Sequence, residues 1–222
     1  MTNLVKICGI TDAAGMNAAL KHGANLLGFV FRLASLRYIG FEAAASLARL
    51  GRGRLRIVAV VVDADNEFLE TLIKTVNPDV LQLHGSETPR RAAEIASRFS
   101  RPLIKAFGIG AREDLAALQP YMQLCDWLLV EARTTEGRPA GGSGRVFDWR
   151  LLEKTERKER LLLSGGLTPE NVGEAIAITG VRAVDVSSGI ESAPGIKDEE
   201  KMAAFIKNAR SAFATAPLAS VS

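Results

Sequence analysis

The sequence predicts an α/β protein of the (βα)8 TIM barrel class, a single domain over residues 1–213 followed by a short frayed tail at 214–222. Three observations carry this. Short apolar, β-branched runs alternate with amphipathic stretches eight times along 222 residues. Several runs, such as Ile57-Val58-Ala59-Val60-Val61-Val62, are apolar at every position, which suits strands buried on both faces of a parallel sheet. Polar and glycine-rich clusters fall at the ends of these runs, where the chemistry of a parallel barrel sits.

The strand candidates are 4–8, 26–31, 57–62, 79–83, 103–107, 127–131, 161–164 and 183–186. Between them lie helix candidates at 12–22, 41–50, 66–76, 87–98, 112–122, 148–155, 169–178 and 198–213. The first opens on Thr11 or Asp12 as a cap. The third places Phe68, Leu69, Leu72, Ile73 and Val76 near helical spacing and stops at Asn77-Pro78. The seventh has Thr168 as its cap and Pro169 in its first turn. An open doubly wound sheet would use fewer strands. No linker, low-complexity tract or domain boundary interrupts the pattern.

Composition sets the outer bounds. The chain is 47% hydrophobic and 24% charged, the balance of a globular domain. No apolar run approaches the roughly 18 residues of a membrane helix. The first residues lack a signal-peptide layout, so a cytoplasmic location is expected. Lys and Arg number 28 against 25 Asp and Glu, and a net charge of +3 gives no argument for nucleic acid. The basic cluster from Arg49 to Arg56 reads as a solvated helix end and loop. Cys8 and Cys125 are predicted at opposite ends of the barrel, so no disulfide is expected between them. His22 reads as a helix-surface residue, which leaves His84 without a metal-ligand partner at suitable spacing. There is no Walker loop, dinucleotide fingerprint or nucleophile elbow. No cofactor, metal or membrane partner is expected.

The chemistry-bearing clusters follow the strand order. Cys8-Gly9 ends the first strand and sets a thiol on a rigid element beside a residue that admits close approach. Arg37, in the segment after the second strand, has the planar fork that grips a carboxylate. Gln82 and His84 end the fourth strand, and alternation turns both to one side, toward a pocket. Three glycine-rich turns follow the sixth, seventh and eighth strands. They contain Gly142, Ser143 and Gly144, then Gly165 and Gly166, then Ser187, Ser188 and Gly189. Backbone N–H groups in such turns bind phosphate, and the loops after strands seven and eight are the usual barrel phosphate site.

These stretches, taken in order, resemble the phosphoribosylanthranilate isomerase family of tryptophan biosynthesis. The matching segments are Lys6-Ile7-Cys8-Gly9-Ile10-Thr11, Ser35-Leu36-Arg37, Gln82-Leu83-His84-Gly85, Gly141-Gly142-Ser143-Gly144, Ser164-Gly165-Gly166-Leu167-Thr168-Pro169 and Asp185-Val186-Ser187-Ser188-Gly189-Ile190-Glu191, with Pro194-Gly195 and Lys197-Asp198 beyond. The resemblance implies an Amadori rearrangement of a phosphorylated aminoaldose, a small-molecule phosphosugar substrate, by general acid–base catalysis without cofactor. It implies Cys8 as the base, with its pKa depressed by the site, and Arg37 facing the anthranilate carboxylate. It further implies Gly166 and Ser188-Gly189 in a phosphate cradle, and the loop of Gly142, Ser143 and Gly144 closing over the substrate. A monomer and a homodimer both fit.

Two positions depart from the family pattern. The family's acid is an aspartate at the end of strand six, and the aligned residue here is Glu131. Aspartate and glutamate differ little in intrinsic acidity, but the extra methylene displaces the carboxyl by roughly an ångström, a shift that can cost about a hundredfold in rate. A catalytically impaired paralogue that binds a phosphorylated ligand is therefore the alternative to the isomerase. Leu36 stands where the family commonly has proline, which would stiffen the segment that carries Arg37. Other phosphosugar barrels share the phosphate turns, but they have no evident need for a thiol base opposite a carboxylate-binding arginine.

Overall fold

The computed structural model describes residues 3–133, 146–153 and 155–215. Eight parallel strands close into a barrel in sequence order. They are β1 (Leu4–Cys8), β2 (Leu26–Val30), β3 (Arg56–Val61), β4 (Val80–Leu83), β5 (Leu103–Ile109), β6 (Trp127–Ala132), β7 (Leu161–Leu163) and β8 (Ala183–Val186). Barrel closure comes from β1 pairing with β8, with Lys6 opposite Asp185. On its other edge β1 pairs with β2, where Cys8 stands opposite Gly28.

Side-chain alternation sorts the strands into an outer apolar shell and an inner column. Outward residues such as Ile7, Leu27, Ile57 and Leu81 pack under the helices in the main core. The floor of the inner column is apolar, built by Leu4, Leu26, Val58, Val80, Ile104, Leu129, Leu162 and Ala183. The next storey is largely polar. Lys6, Gln82, Glu131, Ser164 and Asp185 are all buried there. Buried polar groups cost free energy unless they are hydrogen-bonded, so this storey marks where chemistry has displaced packing.

The helices are α1 (Ala13–His22), α2 (Phe41–Gly51), α3 (Asn66–Val76), α4 (Pro89–Phe99), α5 (Val172–Thr179) and α6 (Glu199–Thr215). Asp12, not Thr11, caps α1 by accepting from Gly15 N at 2.7 Å. Asp65 and Thr88 cap α3 and α4 in the same way. Asn77 ends α3 in the left-handed conformation.

The sequence expectation needs correction in four places. The helix expected at 112–122 is a 3-10 segment, Arg112–Tyr121, with Pro120 inside it. Its core contacts, Leu115, Leu118 and Tyr121, recur every three residues, which is the 3-10 period. The helix expected at 148–155 is reduced to a 3-10 turn at Trp149–Leu152, with another at Lys158–Arg160. The seventh helix begins at Val172 with Asn171 at its cap, not at Pro169 after Thr168. Finally, a hairpin of β9 (Glu191–Ala193) and β10 (Ile196–Lys197) follows β8, where the sequence suggested only a turn. Gly195, at φ +83°, supplies the tight bend. Helix α6 continues to Thr215, and 216–222 lie outside the described residues. Among the described residues no helix is long and apolar enough to cross a membrane.

Candidate active site

Cys8 closes β1 at the carboxyl end of the barrel, and only 8% of it is exposed. Below it, Lys6 Nζ donates to Asp185 Oδ1 at 2.7 Å, and Ser164 Oγ donates to Asp185 Oδ2 at 2.9 Å. Gly28 opens the space for this stack. A Cβ there would meet Cys8 Sγ at 2.8 Å and Lys6 Nζ at 3.2 Å. Burial alone would lower the Lys6 pKa, but Asp185 and Cys8 together outweigh it and hold Lys6 above its ordinary value. For Cys8 the balance runs the other way. Burial pushes the thiol up, and the pull of Lys6 and Lys197 does not cancel it. The expected depressed thiol pKa is thus corrected: the cations are present, but desolvation of the thiolate is the larger effect.

Arg37 and the β9–β10 hairpin stand over the thiol. Arg37 grips Glu191 in a two-point contact, Nε to Oε1 at 2.7 Å and Nη2 to Oε2 at 2.8 Å. Lys197 Nζ donates to the same Oε1 at 2.8 Å and to Ser187 O at 2.9 Å. Ser187 Oγ donates to Cys8 O at 3.0 Å, which ties the hairpin base to β1. Burial works to raise the Glu191 pKa, but the hydrogen bonds from Arg37 and Lys197 leave it below its ordinary value. Burial leaves Lys197 below its own. Gly9 keeps this space open, since a Cβ there would stand 2.5 Å from Arg37 Cδ.

The second cluster rises from β4 and β6. Gln82 and His84 share a face, as alternation requires, and Gln82 Nε2 donates to His84 Nδ1 at 3.0 Å. His84 Nε2 lies 3.0 Å from Glu131 Oε1. The turn after His84 is braced from beneath. Lys105 Nζ donates to Gly85 O at 2.7 Å and pairs with the buried Glu87 at 3.1 Å, while Glu87 Oε2 accepts from Gly85 N at 3.0 Å.

Between these clusters, one small cavity is lined by Glu131, by Gly165 and Gly166 after β7, and by Ser187, Ser188 and Gly189 after β8. Gly165 and Gly166 both take positive φ, at +83° and +66°. A Cβ on Gly165 would press on Ala132 N at 2.8 Å, and one on Gly189 would collide with Leu167 O. Asn171 holds the first turn in place, with Nδ2 donating to Gly166 O at 2.9 Å and Oδ1 accepting from Thr168 N at 2.8 Å.

The fold therefore gathers Cys8, Arg37, Gln82, His84, Glu131 and the residues of two glycine turns at one mouth. Gly142, Ser143 and Gly144 lie outside the described residues. Sequence reasoning missed Lys6, Ser164, Asp185, Glu191 and Lys197 as members of the site. A lysine and an aspartate within otherwise apolar strands were the available signal. Glu191 and Lys197 stood in family-like segments, but only the hairpin brought them to Arg37. The second cysteine, Cys125, precedes β6 at the far end of the barrel; burial pushes its pKa up to about 12, and both thiols are free.

Reactive side chains at the carboxyl ends of eight parallel barrel strands are the arrangement of a (βα)8-barrel enzyme. Residues 5–208 match the family described as N-(5′-phosphoribosyl)anthranilate (PRA) isomerase, and the chain belongs to that family. It is 50% identical over 208 residues to an N-(5′-phosphoribosyl)anthranilate isomerase of Rhodopseudomonas palustris strain BisA53, covering 93% of this chain and 95% of the relative. It is 45% identical to that of Rhizobium meliloti strain 1021, over 96% and 99% of the two chains. Among solved structures, phosphoribosyl anthranilate isomerase from Thermotoga maritima superposes with a TM-score of 0.84 at 37% identity, over 95% of this chain and all of the other. A phosphoribosyl anthranilate isomerase in complex with reduced 1-(o-carboxyphenylamino)-1-deoxyribulose 5-phosphate gives 0.81 at 34% identity, over 95% of this chain and 100% of that chain.

Proposed function

We propose that this chain catalyses the Amadori rearrangement of N-(5-phosphoribosyl)anthranilate to 1-(2-carboxyphenylamino)-1-deoxyribulose 5-phosphate, with Glu131 as general acid and Cys8 as general base. The observation that carries this is the shared cavity: the residue aligned with the family's acid lines it together with the glycine turns expected to hold the phosphate.

Glu131 delivers its proton to the furanose ring oxygen, and the ring opens to a Schiff base. The Cys8 thiolate then takes the C2′ proton to give an enolamine, which tautomerises to the aminoketose. Lys6 supplies the nearest positive charge to the thiolate, and Asp185 keeps that lysine charged. The phosphate lies against backbone N–H groups of the turns after β7 and β8. Gly142, Ser143 and Gly144 are assigned to the same cradle by family resemblance. Arg37 receives the anthranilate carboxylate. Glu191 occupies only its Nε edge, and the guanidinium retains N–H donors on Nη1 and Nη2. All steps use side chains of the chain itself, and a cytoplasmic location suits the reaction.

The test is turnover of freshly generated N-(5-phosphoribosyl)anthranilate, followed by loss of anthranilate fluorescence. A rate well above the spontaneous background supports the isomerase. Tight binding of the reduced product analogue without turnover would leave the binding paralogue instead.

A further inference from the structure

We infer that His84, oriented by Gln82, is the positioning residue that makes a glutamate serve as the acid at position 131. This rests on the reading of Glu131 as the general acid.

Gln82 Nε2 donates to His84 Nδ1 at 3.0 Å, which leaves the imidazole proton on Nε2, 3.0 Å from Glu131 Oε1. Oε1 is thereby engaged, on a residue that lines the cavity of the glycine turns. A glutamate has one more rotatable bond than an aspartate, so an untethered carboxyl at the end of β6 would spread over several positions. The imidazole removes that freedom. Its own place is fixed by His84 N donating to Val61 O at 2.8 Å and by the Lys105–Glu87 brace under the next turn.

Gln82 shows what this arrangement costs. It is 1% exposed, and its Oε1 is buried without a partner among the described residues. A buried amide that uses half its hydrogen-bonding capacity is destabilising. What it contributes is orientation of the ring. Turned over, the same amide would accept from a protonated Nδ1, so Gln82 supports either form of His84. When Glu131 gives up its proton, the bond from Nε2 becomes charge-assisted and strengthens. The contact is then tighter after proton transfer than before it, which is the condition for lowering the barrier.

The experiment is a double-mutant cycle on kcat and KM with N-(5-phosphoribosyl)anthranilate. His84→Ala is expected to lower kcat by up to about a hundredfold, with KM little changed. Glu131→Gln alone should lower kcat by about 10²–10⁴-fold. The double variant should be no slower than Glu131→Gln, because His84 acts through the carboxyl. His84→Gln, which can present an N–H near the Nε2 position, should recover part of the loss and also serves if the alanine variant does not fold. Gln82→Met should give a smaller loss that vanishes in the Glu131→Gln background. Unchanged kcat in His84→Ala, or losses that multiply in the double variant, would overturn the inference while leaving the acid assignment standing. Full activity in Glu131→Gln would instead remove the acid assignment, and the positioning role with it.

Discussion

Cys8 and Glu131 face the same mouth from differently built walls. Around the thiol the groups are fixed ions: Lys6 with Asp185 below, and Arg37 and Lys197 with Glu191 above. Around the carboxyl they are an imidazole and an amide, whose protons and orientations can change. The ionic wall is suited to setting an electrostatic potential, because buried opposite charges hold each other in their ionised forms. The imidazole wall is suited to following a proton, because its donors and acceptors exchange roles. On the proposed roles, Cys8 as a base that becomes an anion inside the barrel needs the first kind of support, and Glu131 as an acid that releases a proton at a defined atom needs the second.

The largest test of this contrast is Cys8→Ser, expected to reduce kcat by about 10²–10⁴-fold while binding of the reduced product analogue, measured by calorimetry, is retained. In the parent, the raised thiol pKa has a definite sign. The thiolate fraction increases with pH, so the rate of Cys8 alkylation by iodoacetamide should climb through neutrality and past the thiol's ordinary pKa; a plateau already reached at neutral pH would contradict it. Next comes Lys6→Met. Removing one partner of a buried ion pair costs about 3–5 kcal/mol, to be read from urea unfolding, and it should slow alkylation of Cys8 by iodoacetamide at fixed pH. Equal alkylation rates would detach the ionic wall from the thiol. On the other wall, Glu131→Asp should lose the contact to His84 and lower kcat by up to about a hundredfold, although aspartate is the family's usual residue. The smallest effect is expected for Leu36→Pro. Leu36 is exposed, and a compatible proline there should stabilise the chain by about 0.4–1 kcal/mol, measured as a shift in the unfolding midpoint.

The strands were legible because burial on both faces writes a local, continuous apolar run such as 57–62, and β1 and β8 fall at the expected residues. The fifth and sixth helices were not. A three-residue period over Leu115, Leu118 and Tyr121 overlaps a helical one, and Pro120 did not stop the segment but shaped it. Among site residues, Cys8, Gln82 and His84 were visible because strand ends are local features, and Arg37 and Glu131 because their segments resemble the family's. Their mutual contacts were not, since Arg37 meets Glu191 across 154 positions and His84 meets Glu131 across 47. Sequence alternation placed Gln82 beside His84, but only the barrel register brought Glu131 to them. The expected thiol acidity came from the role the resemblance implies, which asks for a thiolate, whereas the depth of burial that raises the pKa is a property of the closed barrel.

The ion pair between Lys6 and Asp185 joins residues 179 positions apart, the first strand to the last. Half of the reactive mouth is thus assembled from the first and last strands of the barrel, and the other half from strands between them. In the order of synthesis, the thiol on the first strand waits for nearly all the other strands before Asp185, Glu191 and Lys197 arrive. Activity should therefore appear in one late step, at ring closure, and its rate should follow the slow pairing of distant segments. The position that decides when this chain becomes an enzyme is the seam between the first and last strands of its barrel.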